Sequence, residues 1–120
     1  MKNRVYLILL ALADADLHGL GVARAVQDLS DGQTRLWPAS LYGTLDELEE
    51  EGLIEELNDP RHRPAEESEK KRFYRLTRAG HRALGAETDR LAALVKIARL
   101  RLKPRSGDGS TTFAKATVVK

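Results

Sequence analysis

The sequence predicts a small, mainly α-helical α+β domain. Its 120 residues suffice for one domain with a modest core. Apolar residues recur at helical spacing in four separate stretches. Between the third and fourth stretches, two short β-prone runs enclose a polar loop, as in a β-hairpin. The composition, 42% hydrophobic and 32% charged, is typical of a globular protein with a highly charged surface.

The first two helices are predicted in residues 3–13 and from about residue 18 to residue 29. Residues 3–13 are apolar on nearly every side, which is typical of a helix covered by several neighbours. Gly19 and Gly21 stand at the start of the second helix, where each costs about 1 kcal/mol of helix propensity. They indicate a close approach at that point, either by another helix or by a phosphate group of a ligand. The apolar face of the second helix is formed by Val22, Ala25, Val26 and Leu29.

The third helix is predicted from about residue 38 to residue 51, and its two ends differ in charge. Pro38 suits a first helical position, and Gly52 suits the left-handed position after the last turn. The outward face has no acid in its first half, so only that half is suited to meet a polyanion. The buried face is formed by Leu41, Leu45 and Leu48. The second half of the outward face carries Asp46, Glu47, Glu49, Glu50 and Glu51.

Two strands and a long helix complete the predicted elements. Residues 53–57 and 70–76 are predicted as strands joined by a polar loop, which makes a hairpin wing. Thr77 is predicted to cap the last helix with its side chain. A seven-residue apolar repeat in that helix favours a partner helix from a second copy of the chain, with the first helix of the same chain as the alternative. The repeat consists of Leu84, Leu91, Leu94, Val95, Ala98 and Leu102.

The formal net charge of +2 is unevenly distributed along the chain. Residues 1–57 hold 4 basic and 11 acidic side chains, a net charge of −7, whereas residues 58–82 carry +4 and residues 83–120 carry +5. Such asymmetry favours a polyanionic partner that contacts one part of the fold. The alternative is that the basic regions only balance the acidic helix within the molecule.

Several classes of function and site are disfavoured. The absence of cysteine excludes disulfides and thiolate metal sites, and suits a reducing cytoplasm. His18, His62 and His81 lack metal-ligand spacing. No phosphate-cradling glycine loop and no Ser/His/acid set stands out, so we expect no catalysis and no cofactor. The apolar run of residues 5–13 is far shorter than the ~20 residues that span a bilayer, so we expect no membrane partner.

The order helix–helix–turn–helix–strand–wing–strand–helix is that of a winged helix-turn-helix domain. The residues resemble the PadR family of bacterial winged-helix transcriptional repressors, in its short form with a single C-terminal helix. The resemblance rests on I-L-L-A-L at residues 8–12, L-H-G-L-G at 17–21, P-A-S-L-Y-G-T-L-D-E-L-E-E-E-G-L-I at 38–54 and K-R-F-Y-R-L-T-R-A-G at 71–80. The third run is fairly specific, whereas the Y-x-L-T-x-x-G part of the last is shared with other winged-helix repressors. The chain departs from the family pattern at Leu20, Trp37 and Ala39-Ser40.

The resemblance implies a homodimeric repressor that binds a palindromic operator in double-stranded DNA and is released by a small-molecule effector. Its predicted parts are a DNA-binding domain in residues 1–76, a dimerisation helix in 77–103 and a flexible tail in 104–120. The third helix becomes the recognition helix, entering the major groove with its first half. Tyr6 joins the apolar repeat in the predicted dimer interface. The predicted DNA contacts are His18, Arg35, Ala39, Ser40, Tyr42, Gly43 and Thr44, with Arg61, Arg63, Lys70, Lys71 and Arg72 in the wing.

Each of these assignments has a plainer alternative. Tyr42 would brace the helix against the wing, His18 would cap its helix, and the basic run of the wing would be solvated. No basic side chain lies in the recognition helix, so Arg35 is the nearest candidate to read guanine; the alternative is an ordinary loop arginine. Trp37 and Tyr6 would line an effector cavity or pack locally. A different function is a protein-interaction module that docks a basic partner on its acidic helix face.

Overall fold

The computed structural model describes residues 1–57 and 72–104, and this part of the chain contains four helices and three strands. The mainly helical α+β fold with an antiparallel hairpin is confirmed. In these ranges no helix combines the length and the apolar character needed to cross a bilayer. The elements in chain order are α1 (Asn3–Asp14), β1 (Leu17–His18), α2 (Gly19–Leu29), α3 (Pro38–Glu50), β2 (Ile54–Leu57), β3 (Phe73–Leu76) and α4 (Arg78–Leu102).

The three strands form one antiparallel sheet in the order β1-β3-β2. Strands β2 and β3 pair as the predicted hairpin, with Ile54 opposite Leu76. Strand β1 pairs with the other edge of β3, where Leu17 lies opposite Tyr74. The sequence did not indicate β1, because two residues are too few to show an alternating pattern.

The core lies between α1, α2, α3 and the sheet, and extends to the beginning of α4. The predicted apolar face of α3 is buried in it. The largest fully buried side chains are Tyr74, Ile8, Leu9, Leu45, Ile54, Val22 and Val26. Since they come from α1, α2, α3 and both strands of the hairpin, one apolar cluster fixes the arrangement of these elements.

Both ends of α3 agree with the sequence prediction. Pro38 occupies the first turn, and Gly52 follows the helix with a φ of +78°. The N–H of Gly52 donates to the carbonyl of Glu49, and the N–H of Leu53 donates to the carbonyl of Leu48, each at 3.0 Å. These two hydrogen bonds form a Schellman motif, which satisfies the last carbonyls of α3 and turns the chain into β2.

Thr77 caps α4, as predicted. Its Oγ1 accepts a hydrogen bond from the N–H of Gly80 at 3.0 Å and donates one to the carbonyl of Gly52 at 2.6 Å. The described part of the chain divides into two compact units, the first ending at Glu87 and the second beginning at Thr88. The beginning of α4 belongs to the first unit, where Gly80 and Leu84 are buried. The predicted division between residues 76 and 77 therefore lies within that unit.

Candidate nucleic-acid interface

The start of α3 is exposed and suited to an anion. Trp37, the residue before the helix, provides no side-chain cap, and the first turn contains no acidic residue. The first N–H groups of the helix are therefore left for another acceptor, and the helix dipole favours a negative charge beside them. Ala39, Ser40 and Gly43 are exposed here, as the predicted interface requires.

Thr44 does not belong to this exposed surface. It is 4% exposed and lies on the buried face of α3 beside Leu41 and Leu45. The prediction that its hydroxyl reaches a phosphate or a base edge is therefore wrong for this fold. Thr44 lies three residues after Leu41 and four before Leu48, which is the spacing of one helical face. Helical periodicity therefore predicts its burial, although its side chain is polar.

Tyr42 is 38% exposed and packs on the first residue of α2. Its ring lies against Gly19 so closely that a Cβ on residue 19 would overlap it. One of the two alternatives for the glycines, a close approach by another helix, therefore holds at Gly19. The aromatic ring therefore braces α3 against the start of α2.

His18 caps α2 through its side chain. Its Nδ1 accepts a hydrogen bond of 3.0 Å from the N–H of Gly21. Its ring packs edge-on against Phe73, with ring centroids 5.4 Å apart. One ring nitrogen is therefore engaged within the protein, and a phosphate contact by His18 stays a prediction. Among the described residues, no group of three or more potential metal ligands occurs.

An open basic groove of about 420 Å³ borders the start of α3 on one side. Its lining includes Ser40 from α3 and three basic side chains that come from distant parts of the sequence. Lys2 precedes α1, Arg4 lies in its first turn, and Arg35 lies in the segment before α3. Among the residues that the structure describes, none that lines this groove is acidic.

A second groove, of about 270 Å³, borders the same helix start. It is lined by Arg24 of α2, Arg35 and Trp37, together with the apolar residues Leu20, Ala23 and Leu36 and the amide of Gln27. The guanidinium carbon of Arg35 lies 5.3 Å from the centroid of the Trp37 ring, within the range of a cation–π contact. Arg35 lines both grooves.

All four basic residues of the segment 1–57 line one or both grooves, and none of the 11 acidic residues of that segment does. The four are Lys2, Arg4, Arg24 and Arg35. Of these four residues, only Arg35 was predicted from the sequence as a DNA contact. The other three are separated in the chain, and the packing of α1 and α2 beside α3 brings them together. The sequence did contain a clue to them. Residues 1–57 have a net charge of −7 and only four basic residues, so those four were the natural candidates for contacts with a polyanion.

The basic side chains at β3 are paired with acids. Arg72 donates two hydrogen bonds of 3.2 Å to the carboxylate of Glu56, which raise the pKa of the guanidinium above its usual value. Asp46 lies 3.9 Å away. Arg75 forms a similar pair with Glu55 at 3.0 Å. A phosphate would therefore compete with Glu56 for Arg72, whereas Lys2, Arg4 and Arg24 have no ion pair within the described ranges. The other predicted wing contacts, Arg61, Arg63, Lys70 and Lys71, lie outside the described residues.

The predicted dimer seam lies mostly in the second unit. Within that unit Leu91 is half-buried, and the exposed members of the seam are Leu94, Val95, Ala98 and Leu102. Leu84 is 7% exposed and belongs to the core of the first unit, so its assignment to an intermolecular seam is wrong. Tyr6 is half-buried and packs against the same core.

Solved structures of regulators share this fold. A transcriptional regulator from Clostridium thermocellum is 19% identical, with a TM-score of 0.65 over 83% of this chain and 90% of that chain. A PadR family transcription regulator from Clostridium difficile is 18% identical, with a TM-score of 0.65 over 85% of this chain and 100% of that chain. RosR of H. salinarum is 20% identical, with a TM-score of 0.60 over 99% of this chain and 91% of that chain.

Sequence comparison gives the family. A 37.1 kDa protein in transposon TN4556 of Streptomyces fradiae is 40% identical over 88 residues, which are 73% of this chain and 23% of that protein. The chain thus spans about a quarter of the length of that relative. The model of the transcriptional regulator PadR-like family matches residues 8–86, and the family consists of regulators rather than enzymes. The chain belongs to the PadR-like family of transcriptional regulators.

Proposed function

We propose that this regulator binds double-stranded DNA with the exposed start of α3 in the major groove. Lys2, Arg4 and Arg24 would contact the flanking phosphates, and Arg35 would lie beside them at the helix start. One observation carries the proposal: the whole basic complement of residues 1–57 borders that helix end, although the region is acidic overall. Basic side chains that neutralise phosphates supply most of the sequence-independent affinity of DNA-binding proteins.

The acidic end of α3 supports an end-on approach. Asp46, Glu47 and Glu50 are exposed in the second half of the helix. The 13 residues of α3 extend over about 20 Å, so the acids are separated from Ser40 by one or more turns. Phosphates would repel a helix that lies along the groove, and would accept one that enters with its first turns. Ala39, Ser40 and Gly43 are then the residues nearest the base edges.

We further propose a homodimeric repressor that acts on DNA in the cytoplasm. The exposed side chains of the seam in the second unit would pack against a second copy of the helix. A two-fold dimer with one α3 in each half calls for a palindromic operator, with half-sites about one helical turn apart. Release by a small-molecule effector is part of the proposal and rests on the family resemblance.

DNA titration over a range of salt concentrations tests the interface. Binding should weaken steeply as salt rises, and Lys2→Ala/Arg4→Ala should reduce the slope of log K against log salt by about 0.9 for each phosphate that the variant no longer neutralises. Arg75→Ala is the matched control, because it removes a charge that is already paired with Glu55. An unchanged slope in the double variant would show that the first groove does not contact DNA.

A protein-interaction module is the second candidate, favoured by the exposed acids Asp46, Glu47 and Glu50. A gel shift with sheared genomic DNA at low salt separates the two functions. A shift that disappears with added salt supports DNA binding. No shift, together with retention of a basic protein that Glu47→Lys/Glu50→Lys abolishes, would replace the first proposal by the second.

A further inference from the structure

The start of α3 has no basic side chain, so an arginine that reads a base there must come from outside the helix. Arg35 is placed for that role. It lies three residues before Pro38 and lines both grooves at the helix start. It is exposed, and its guanidinium carbon lies 5.3 Å from the centroid of the Trp37 ring.

Trp37 is fixed to the helix by its backbone, although its side chain is 64% exposed. It is the N-cap residue of α3, with φ −80° and ψ 154°. Its carbonyl accepts the hydrogen bond of 2.8 Å from the N–H of Leu41. It is the most exposed large hydrophobic residue among those described, so the ring serves no core. The ring instead lies against the arginine that borders the helix start.

We infer that Trp37 is a positioning residue for Arg35, and that Arg35 donates two hydrogen bonds to O6 and N7 of one guanine in each half-site. The inference rests on the proposed DNA binding. A guanidinium is planar, and all its N–H groups lie in that plane. The Trp37 ring, with its centroid 5.3 Å from the guanidinium carbon, restrains the position of this group by a cation–π contact and leaves its N–H donors for a base edge.

Arg24 provides an internal contrast. It lines the second groove together with Arg35, and it has no aromatic partner among the described residues. Without such a restraint its guanidinium is suited to a phosphate, which accepts hydrogen bonds over a wide range of directions. The structure thus separates one candidate for base reading from three basic residues suited to positioning the protein on DNA.

The test begins with the full chain and a pool of random-sequence duplexes from which the bound fraction is selected. Replacing the critical G·C pair by A·T should weaken binding roughly 5- to 150-fold. 7-Deazaguanine, which lacks the N7 acceptor, should reproduce part of that loss. Inosine, which keeps N7 and O6, should bind like guanine. Arg35→Lys should abolish the preference for guanine with the salt slope unchanged, because the charge remains.

Trp37→Ala should reduce the discrimination at the same base pair by about 2- to 5-fold, the value of an exposed cation–π contact. Trp37→Phe keeps an aromatic ring and should restore most of it. Arg24→Lys is the matched control, and should leave the guanine preference unchanged. Thermal melting of each variant establishes that it is folded before binding is compared.

The outcomes separate this inference from the function on which it rests. Loss of salt-dependent duplex binding in the wild-type protein would overturn both. Normal binding by Arg35→Lys with an unchanged response to 7-deazaguanine would overturn the guanine contact alone. If Trp37→Ala kept the full preference for guanine while Arg35→Lys lost it, the role of Trp37 would be overturned. Reduced discrimination in Trp37→Ala, restored by Trp37→Phe, would support it.

Discussion

The ring of Tyr42 packs on the backbone of Gly19, where any Cβ on residue 19 would overlap it. Gly19 is the first residue of α2, and Tyr42 lies on the exposed side of α3. The two helices of the helix-turn-helix therefore meet where the Tyr42 ring occupies the space that a Cβ on residue 19 would need. The proposed placement of α3 in DNA depends on this contact, because it helps to set the position of α3 on α2.

Gly19→Ala should destabilise the fold by roughly 1–3 kcal/mol, since the new methyl group must displace the Tyr42 ring. Tyr42→Ala removes the obstacle, so the double variant should be more stable than the sum of the two single effects predicts. Urea unfolding of the four proteins measures the coupling, expected at about 0.5–3 kcal/mol. Additive effects would mean that the ring moves away at little cost.

Gly80→Ala and Gly85→Ala should act in opposite directions although both lie in α4. A Cβ on residue 80 would overlap the carbonyl oxygen of Leu53 and crowd the side chain of Leu76, and a backbone carbonyl has little freedom to move. A Cβ on residue 85 meets nothing within 4 Å. Gly85→Ala should stabilise the protein by up to ~1 kcal/mol through helix propensity, whereas Gly80→Ala should destabilise it. Equal melting temperatures for the two variants would contradict the close approach at Gly80.

Tyr74→Phe should be at least as stable as the wild-type protein near neutral pH. Tyr74 is fully buried, and its hydroxyl has no hydrogen-bond partner among the described residues. Removing a buried polar group that makes no hydrogen bond relieves its desolvation cost. Urea unfolding provides the comparison. A marked loss of stability in Tyr74→Phe would indicate that the hydroxyl is hydrogen-bonded after all.

The same residue should give the wild-type protein an additional sensitivity to alkaline pH. Burial raises the pKa of Tyr74 from 10.0 to about 12. The folded state therefore holds the phenol proton more tightly than the unfolded state, and this contribution is present below about pH 10 and lost as the pH rises towards 12. The unfolding free energy of the wild-type protein should fall more steeply over that interval than that of Tyr74→Phe. Parallel curves would contradict the shifted pKa, because all other titrating groups are common to both proteins.

Val95→Glu should convert the proposed dimer into monomers, because it places a charge in the exposed seam of the second unit. Ala93→Glu is the matched control: it introduces the same side chain two residues away, which is about 200° around the helix. Size-exclusion chromatography with light scattering measures the mass. A monomeric wild-type protein would contradict the dimer, and dissociation by both variants alike would show that the seam is not the interface.

The ends of the helices were determined by the sequence itself. Pro38 begins α3, Gly52 adopts the positive φ after it, and Thr77 caps α4, all as expected. These features depend on the backbone geometry and hydrogen bonding of a few adjacent residues, so the local sequence contains the necessary information. The PadR-like motifs belong to the same class, since each is a continuous run of residues.

Tertiary packing decided which residues are available to a partner. Thr44 and Leu84 became buried because their helical faces meet the core, and β1 formed only because β3 offers it a free edge. The basic surface around α3 is assembled from residues 2, 4, 24 and 35, which have no common local pattern. The composition of the chain supplies these charges. Their grouping at one helix end follows from how α1 and α2 pack beside α3. The electrostatic field at that end depends on distances in space, which the order of residues along the chain does not give.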